Sequence, residues 1–308
     1  MAAPRSRQPC NISLTALNDW AEVFKCRRCL PAALSAGFGG ILFRPVADTQ
    51  LTVMLFGVLL LACGCAGLNS VQERHTDSYF HRTSHRPLVT GRLNRQTAFG
   101  LSVLSLAAGL VLLASGHPPR LLPPLLGLAA LLFYNGIYTP LKAVTVLAIL
   151  PGGLAGALPP LIGWSAAGGQ LEDPRAWMVF SLFFLWQIPH YCLIVLHYLQ
   201  EYRIGPYPSL ARLFAEPALE RIILLWILAF MVVALTLATV SYQLSTGSRS
   251  ILASTAILLC GLLSYQLLVT GQETRYRYML VLLNTTFFTA ITAVSLWQIL
   301  CHLADNGG

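Results

Sequence analysis

The sequence predicts an all-α membrane protein, nine transmembrane helices around a central cavity opening to the cytoplasmic face, on three observations. Of 308 residues, 56% are hydrophobic and only 10% charged, where soluble domains carry roughly 25% charged residues. Apolar runs recur at the roughly 20 residues that a helix needs to cross a bilayer. When nine spans are drawn, the basic residues sort to one side.

The first span, 29–43, is short and follows Lys25, Arg27 and Arg28. The second, 51–72, opens with LTVMLFGVLLLACGCAGL, and the third, 97–116, is TAFGLSVLSLAAGLVLLASG. The fourth, 121–139, closes on Asn135, Tyr138 and Thr139, with Lys142 in the short loop before the fifth, 143–166. The sixth covers 176–198, and the seventh, 221–242, contains RIILLWILAFMVVALTLATV. The eighth and ninth are 250–270 and 278–302. Pro151, Pro159, Pro160 and Pro189 fall inside spans, where neighbouring helices can satisfy the freed backbone groups. No linker is long enough to separate domains. Residues 1–28 therefore read as a cytoplasmic N-terminal segment, 29–302 as one transmembrane domain and 303–308 as a short tail. The first twenty residues lack the apolar core of a cleavable signal peptide.

Charge supplies the orientation. One side receives Arg5, Arg7, Lys25, Arg27 and Arg28, then Arg74, Arg82, Arg86, Arg92 and Arg95. It also receives Lys142, Arg203, Arg212, Arg221, Arg275 and Arg277, making 16 of the 20 Lys and Arg residues. Only Arg44, Arg120, Arg175 and Arg249 fall on the other. The positive-inside rule puts the richer side in the cytoplasm. The net charge of +8 thus reports membrane orientation rather than nucleic-acid binding, and a multi-pass protein of a bacterial inner membrane is expected. The eight cysteines form no disulfide framework, and the lone C-x-x-C at Cys26 and Cys29 is weak evidence for metal or redox chemistry.

Three polar islands interrupt the grease. In the first, Asn69, Glu73 and Asp77 stand at i, i+4 and i+8. Each step of four advances about 400° on a helix, so the three side chains share one face. Mg²⁺ takes a few carboxylate oxygens, waters and substrate phosphates. Arg82 and Arg86, which follow, suit forked hydrogen bonds to phosphate. Arg92 and Arg95 read better as topology anchors. The island suggests a metal–diphosphate site, because acids near a membrane are costly and tend to mark function. The second, NGIYTPLKAVT (135–145), brings Tyr138 and Lys142 to the same side. Lys142 suits either an anchor or a phosphate contact. The third places Trp186, Gln187 and His190 in the body of the sixth span, with Glu201, Tyr202 and Arg203 at its cytoplasmic end. His190 suits an interhelical hydrogen bond as well as a substrate role. Glu201 could complete a metal set with Asn69, Glu73 and Asp77, and two such ions could bridge one diphosphate.

In this order the islands resemble the UbiA-type intramembrane prenyltransferases, and most closely their protoheme IX farnesyltransferase branch. The likeness rests on Asn69, Glu73 and Asp77, on Arg82-Thr83, Arg86-Pro87-Leu88 and Gly91, and on YTPLK (138–142). It extends to GGLAGALPPLIGW (152–164), WQIPH (186–190), Glu201-Tyr202 and Pro208, so that it covers about residues 20–300. The chain departs from that pattern at Glu73 and Glu201, where the branch has Asp, at His75, where it shows an acid, and at Ala143, where it often has a basic residue. The resemblance implies farnesyl diphosphate as donor, heme b as acceptor, Mg²⁺ as cofactor and a heme A synthase or oxidase-assembly partner. It also implies catalytic Asn69, Glu73, Asp77, Glu201 and Lys142, with Arg82, Arg86, Tyr138, Trp186, His190 and Arg203 on the substrates. Two other readings stand beside it. One is a transferase acting on an aromatic quinone precursor. The other is a non-enzymatic heme-handling or transport protein, for which the sequence shows no repeated halves and polar groups crowded at one face.

Overall fold

The computed structural model describes residues 14–116, 120–205, 207–241, 243–269 and 275–306. Arg5 and Arg7 lie outside the described residues. The described residues are helical and contain no strand. A short amphipathic α1 (Leu14–Val23) precedes α2 (Cys26–Phe43), α3 (Thr49–Gln72) and the one-turn α4 (Arg74–Asp77). After the loop 78–94 come α5 (Arg95–Ala114) and α6 (Leu122–Leu131). The latter runs on through a π-helical stretch, Leu132–Tyr138, into α7 (Thr139–Leu141). Then follow α8 (Ile149–Ala166), α9 (Pro174–His197), α10 (Leu199–Ile204), α11 (Leu210–Leu213), α12 (Glu216–Val240), α13 (Thr246–Val269) and α14 (Arg275–Asn306).

Eight of these segments are long and apolar enough to cross a membrane. The ninth expected span, α2, falls short of them in apolarity rather than in reach. Its 18 residues span about 27 Å, but it carries Arg27 and Arg28 in its first turn and three glycines further on. It is nonetheless a member of the bundle, packed on α3, α8 and α14. α14 is longer than the predicted 278–302, and its helix includes Leu303 to Asn306, which the sequence assigned to a tail.

Sequence dictates how closely α2 and α8 meet. A Cβ on Gly39 would stand 2.0 Å from the carbonyl oxygen of Pro160, and one on Gly163 would stand 1.7 Å from that of Ala36. Only glycine permits such backbone contact, which lets membrane helices associate without large side chains. The prolines Pro159 and Pro160 sit inside α8, buried among its neighbours. One apolar core joins α8, α9, α12, α13 and α14 around Phe183, Trp164 and Ile227. A second joins α2, α3 and α5 around Val58, Leu61 and Leu106. Between them the chain ends of α3, α7 and α10 gather on one side of the bundle. On the other side Arg44 pairs with Asp48 at 2.6 Å and Arg175 with Asp173 at 2.5 Å.

Candidate active site

Asn69, Glu73 and Asp77 follow one helical path even though α3 stops before Glu73. The Glu73 N–H donates to Asn69 O at 2.9 Å, and the Asp77 N–H donates to Glu73 O at 2.8 Å. The change of axis at Glu73 (φ −90°, ψ 3°) therefore keeps the i, i+4, i+8 register. All three side chains are buried, at 2%, 6% and 6% exposure.

Buried acids this close need compensation, and each has a cation. Lys142 pairs with Glu73, and Arg86 Nη1 meets Asp77 Oδ2 at 2.5 Å. Asn69 acts as a switchboard between elements. Its Nδ2 donates to Glu73 and, at 3.0 Å, to Thr139 Oγ1, while its Oδ1 accepts from Lys25 Nζ at 2.5 Å. Thr139 reaches this position through the π-helical stretch, where its hydroxyl donates to Tyr134 O at 2.8 Å. Asn135 ties the same stretch to α3 by exchanging hydrogen bonds with Gln72 and donating to Cys65 O. Single π turns within α-helices often mark functional sites.

Lys25 is a site residue that the sequence reading missed. It caps α2 from a left-handed conformation (φ 49°, ψ 39°), uncommon for a residue with a Cβ. Burial holds its ammonium at about 8, well below the usual 10.5, with Glu73 opposing that drop. Burial also works to raise the Glu73 carboxyl, but Lys142 and Lys25 outweigh it and leave that group below its ordinary value. A lone Lys before two arginines resembles a topology anchor, so nothing in the spacing marked it.

Glu201 approaches from α10. Its nearest cation is Arg82, whose Nε is 3.8 Å from Oε2, and that oxygen is buried without a hydrogen-bond partner. Arg82 also donates to Tyr202 Oη at 3.3 Å and lies over the Tyr198 and Tyr202 rings. Lys142 lies 5.8 Å from the centre of the Tyr138 ring. Between these groups opens a cavity of about 150 Å³, lined by Thr76, Arg82, Tyr138, Lys142, Tyr191 and Tyr202 among others. Tyr207 closes one edge by donating to Thr76 Oγ1 at 3.2 Å.

Other expected site residues lie apart. Arg203 meets Glu216 at 3.5 Å on the exposed rim. Trp186 and His190 lie farther along α9, stacked on each other and facing α14. Among the described residues no group of three His, Cys, Asp or Glu side chains is placed to hold a metal ion. Glu73, Asp77 and Glu201 each face a cation instead. Cys26 and Cys29 are free thiols with Cys63 of α3 beside them.

The arrangement offers hard oxygen donors at one end of the bundle within a ring of cations, beside an aromatic cavity. That combination suits an anionic group delivered with a divalent ion. Residues 30–300 match the model of the UbiA prenyltransferase family. The chain is similar to the protoheme IX farnesyltransferase of Oleidesulfovibrio alaskensis, 36% identical over 231 residues, covering 74% of this chain and 80% of that protein. It is 41% identical over 186 residues to that of Geobacter sulfurreducens, covering 60% and 68%. In fold it is similar to a UbiA homologue from Archaeoglobus fulgidus bound to GPP and Mg²⁺, with a TM-score of 0.67 at 16% identity, covering 90% and 99%. A digeranylgeranylglyceryl phosphate synthase superposes with a TM-score of 0.73 at 14% identity, covering 92% and 98%.

Proposed function

The chain belongs to the UbiA prenyltransferase family and is an integral membrane prenyltransferase; from that premise we propose that it joins a farnesyl group from farnesyl diphosphate to a vinyl group of protoheme IX. Residues 29–302 form the single transmembrane catalytic unit of this reading. The acid-bearing end faces the cytoplasm of a bacterial inner membrane, as the sorting of 16 of 20 basic residues supports. The product would pass to a heme A synthase or an oxidase-assembly partner.

One observation carries the reading: buried Asn69, Glu73 and Asp77 stand within reach of Lys25, Lys142 and Arg86, and two of their partners, Thr139 and Lys142, line an aromatic cavity. The donor set fits a divalent ion. Its atoms are hard oxygens, and the unpartnered buried oxygen of Glu201 supplies a free ligand position. Mg²⁺ commonly takes one or two carboxylates and completes its shell with water and phosphate, so a cage of three protein acids is not required. Glu73 and Asp77, in register with Asn69, would hold it, and Glu201, on the facing α10, would join only as the site closes on substrate. Bound there with the diphosphate, the ion would neutralise charge on the leaving group.

The chain's own cations do the rest of the electrostatic work. Lys142 and Arg86, now engaged with Glu73 and Asp77, would turn toward the diphosphate as the acids are taken up, and Arg82 and Lys25 would add to the field on its oxygens. As the bond from the allylic carbon to diphosphate breaks, positive charge grows on the prenyl chain. The rings of Tyr138, Tyr191 and Tyr202 would stabilise that charge modestly and keep bulk water away from it. The vinyl carbon of the acceptor then bonds the allylic carbon. One water adds to the resulting cation and loses a proton, giving a hydroxyethylfarnesyl group. At about 150 Å³ the cavity is below the roughly 300–1,000 Å³ of ligand pockets, so lining groups such as Arg82 and Tyr202 must part on binding.

The test is direct. Purified chain with Mg²⁺, farnesyl diphosphate and either heme b or an aromatic acid is read by mass. A heme product supports the reading; prenylation of the aromatic acid with heme untouched would replace heme by a quinone precursor as acceptor.

A further inference from the structure

Beyond the acids lies a second polar feature that the diphosphate chemistry leaves unused. His190, two-thirds of the way along α9, is half-buried, and its Nδ1 is 2.9 Å from Asn284 Oδ1 on α14. A carbonyl oxygen only accepts, so that contact requires Nδ1 to carry the proton. Nε2 is then left with its lone pair and has no hydrogen-bond partner in the described residues. An imidazole anchored through Nδ1–H to an oxygen, with Nε2 free, is the arrangement that metal-ligating histidines use.

A second, independent observation points to a ligand. Trp186, one turn before His190, is only 8% exposed, and its indole N–H has no hydrogen-bond partner. A buried donor without an acceptor is costly, and no protein oxygen meets this one. The indole ring lies flat between His190, at 4.8 Å between centroids and 27° between planes, and Phe287, at 5.1 Å and 16°. Phe288 meets it edge-on at 5.3 Å. The stacked rings hold the Trp186 indole and the His190 imidazole in fixed orientations, and the free imidazole nitrogen with the orphan N–H suits a ligand that carries a metal and peripheral oxygens. Tyr191, the residue after His190, lines the cavity beside the acids, so one helix, α9, carries both features.

We infer that His190 binds the acceptor heme through its iron, with Nε2 as axial ligand and Asn284 as the positioning residue that fixes the tautomer; this rests on the heme-acceptor reading above. The lone pair of the neutral imidazole enters the vacant axial position of the iron, and no proton is exchanged. The Trp186 N–H donates to a carboxylate of the porphyrin, whose two propionates are acceptors of the right kind. The sequence hid Asn284 because one amide in an apolar helix has no motif around it, although a polar group at that depth is costly enough to attract notice.

The experiment titrates the full-length protein in lipid nanodiscs with heme b, reduced by dithionite, and follows the Soret band and the iron–histidine stretch by resonance Raman. The wild type is expected to show an iron–histidine band, lost in His190→Gly and restored when imidazole is added. Asn284→Ala should weaken heme binding by roughly 10- to 100-fold, the usual effect of losing such a supporting contact, and lower the stretching frequency. Asn284→Asp, which can only accept, should keep the band. A helix-packing role for Asn284 would not move that frequency. An unchanged heme spectrum in His190→Gly, while wild-type protein still makes the farnesylated heme, would overturn this inference and leave the acceptor reading standing. Failure of the wild type to bind or farnesylate heme would overturn both.

Discussion

Lys25→Arg is expected to flatten the alkaline side of the pH profile for farnesyl transfer. Burial holds the Lys25 ammonium at about 8 in the free protein, against 10.5 for an unperturbed Lys, with Glu73 pulling the other way. A lowered value in a cationic group means that the charge is present below pH 8 and is lost as pH rises through it. At pH 9 about a tenth of the molecules would keep it. The parameter kcat/KM reports ionisations of the free enzyme and kcat those of the bound complex. Wild-type kcat/KM should therefore fall by up to about tenfold per pH unit above 8. The same limb in kcat should move to higher pH, because bound diphosphate holds the proton on. Arginine stays charged throughout this range, so Lys25→Arg should remain flat to about pH 9.5. Initial rates with radiolabelled farnesyl diphosphate, taken below and above saturation, measure both limbs. A wild-type profile flat to pH 9.5, or an identical fall in Lys25→Arg, would refute the assignment of Lys25 to the diphosphate site.

Further outcomes follow from single contacts. Asp77→Asn should cost at least about 100-fold in kcat, the scale of losing one preorganised charge contact, while helical content by circular dichroism stays unchanged. Lys142→Met leaves Glu73 buried without its cation; since Lys142 is 30% and Glu73 8% exposed, the loss should fall near the low end of about 3–5 kcal/mol. Adding Glu73→Gln should recover most of that loss in thermal unfolding. Gly163→Ala forces a Cβ onto the Ala36 carbonyl and should destabilise by about 1–3 kcal/mol, whereas Gly100→Ala, with nothing within 4 Å, should not. Arg203→Ala removes an exposed pair with Glu216, worth about 0–1 kcal/mol, and should leave kcat/KM within a few-fold of wild type.

Much of this architecture is legible in the chain because the bilayer imposes one simple demand, roughly 20 apolar residues per crossing. The runs at 51–68 and 221–240 lie within long helices, the run at 97–116 outlasts α5 by two residues, and α2 is the exception because its close approach to α8 is bought with glycines that dilute its apolarity. The register of Asn69, Glu73 and Asp77 was equally legible, since helical geometry alone aligns them. Which cation meets which acid was not. Arg86 reaches Asp77 through the turns of the 78–94 loop, and Lys142 reaches Glu73 only after the π-helical stretch resets the end of α6. Arg203 could have been set aside earlier. It stands two residues from Glu201 on α10, and residues i and i+2 do not share a helix face. The reading as a transporter or heme chaperone falls because relatives matching most of the chain carry the name of a transferase.

The proposed reaction requires buried carboxylates to hold a divalent ion together with the substrate's diphosphate. Calorimetric titration of farnesyl diphosphate into the purified protein, with Mg²⁺ and then with excess chelator, measures that dependence without needing turnover. Binding that is present with Mg²⁺, lost in chelator and absent in Asp77→Asn is the expected result. Equal affinity with and without the metal, in wild type and variant alike, would contradict it.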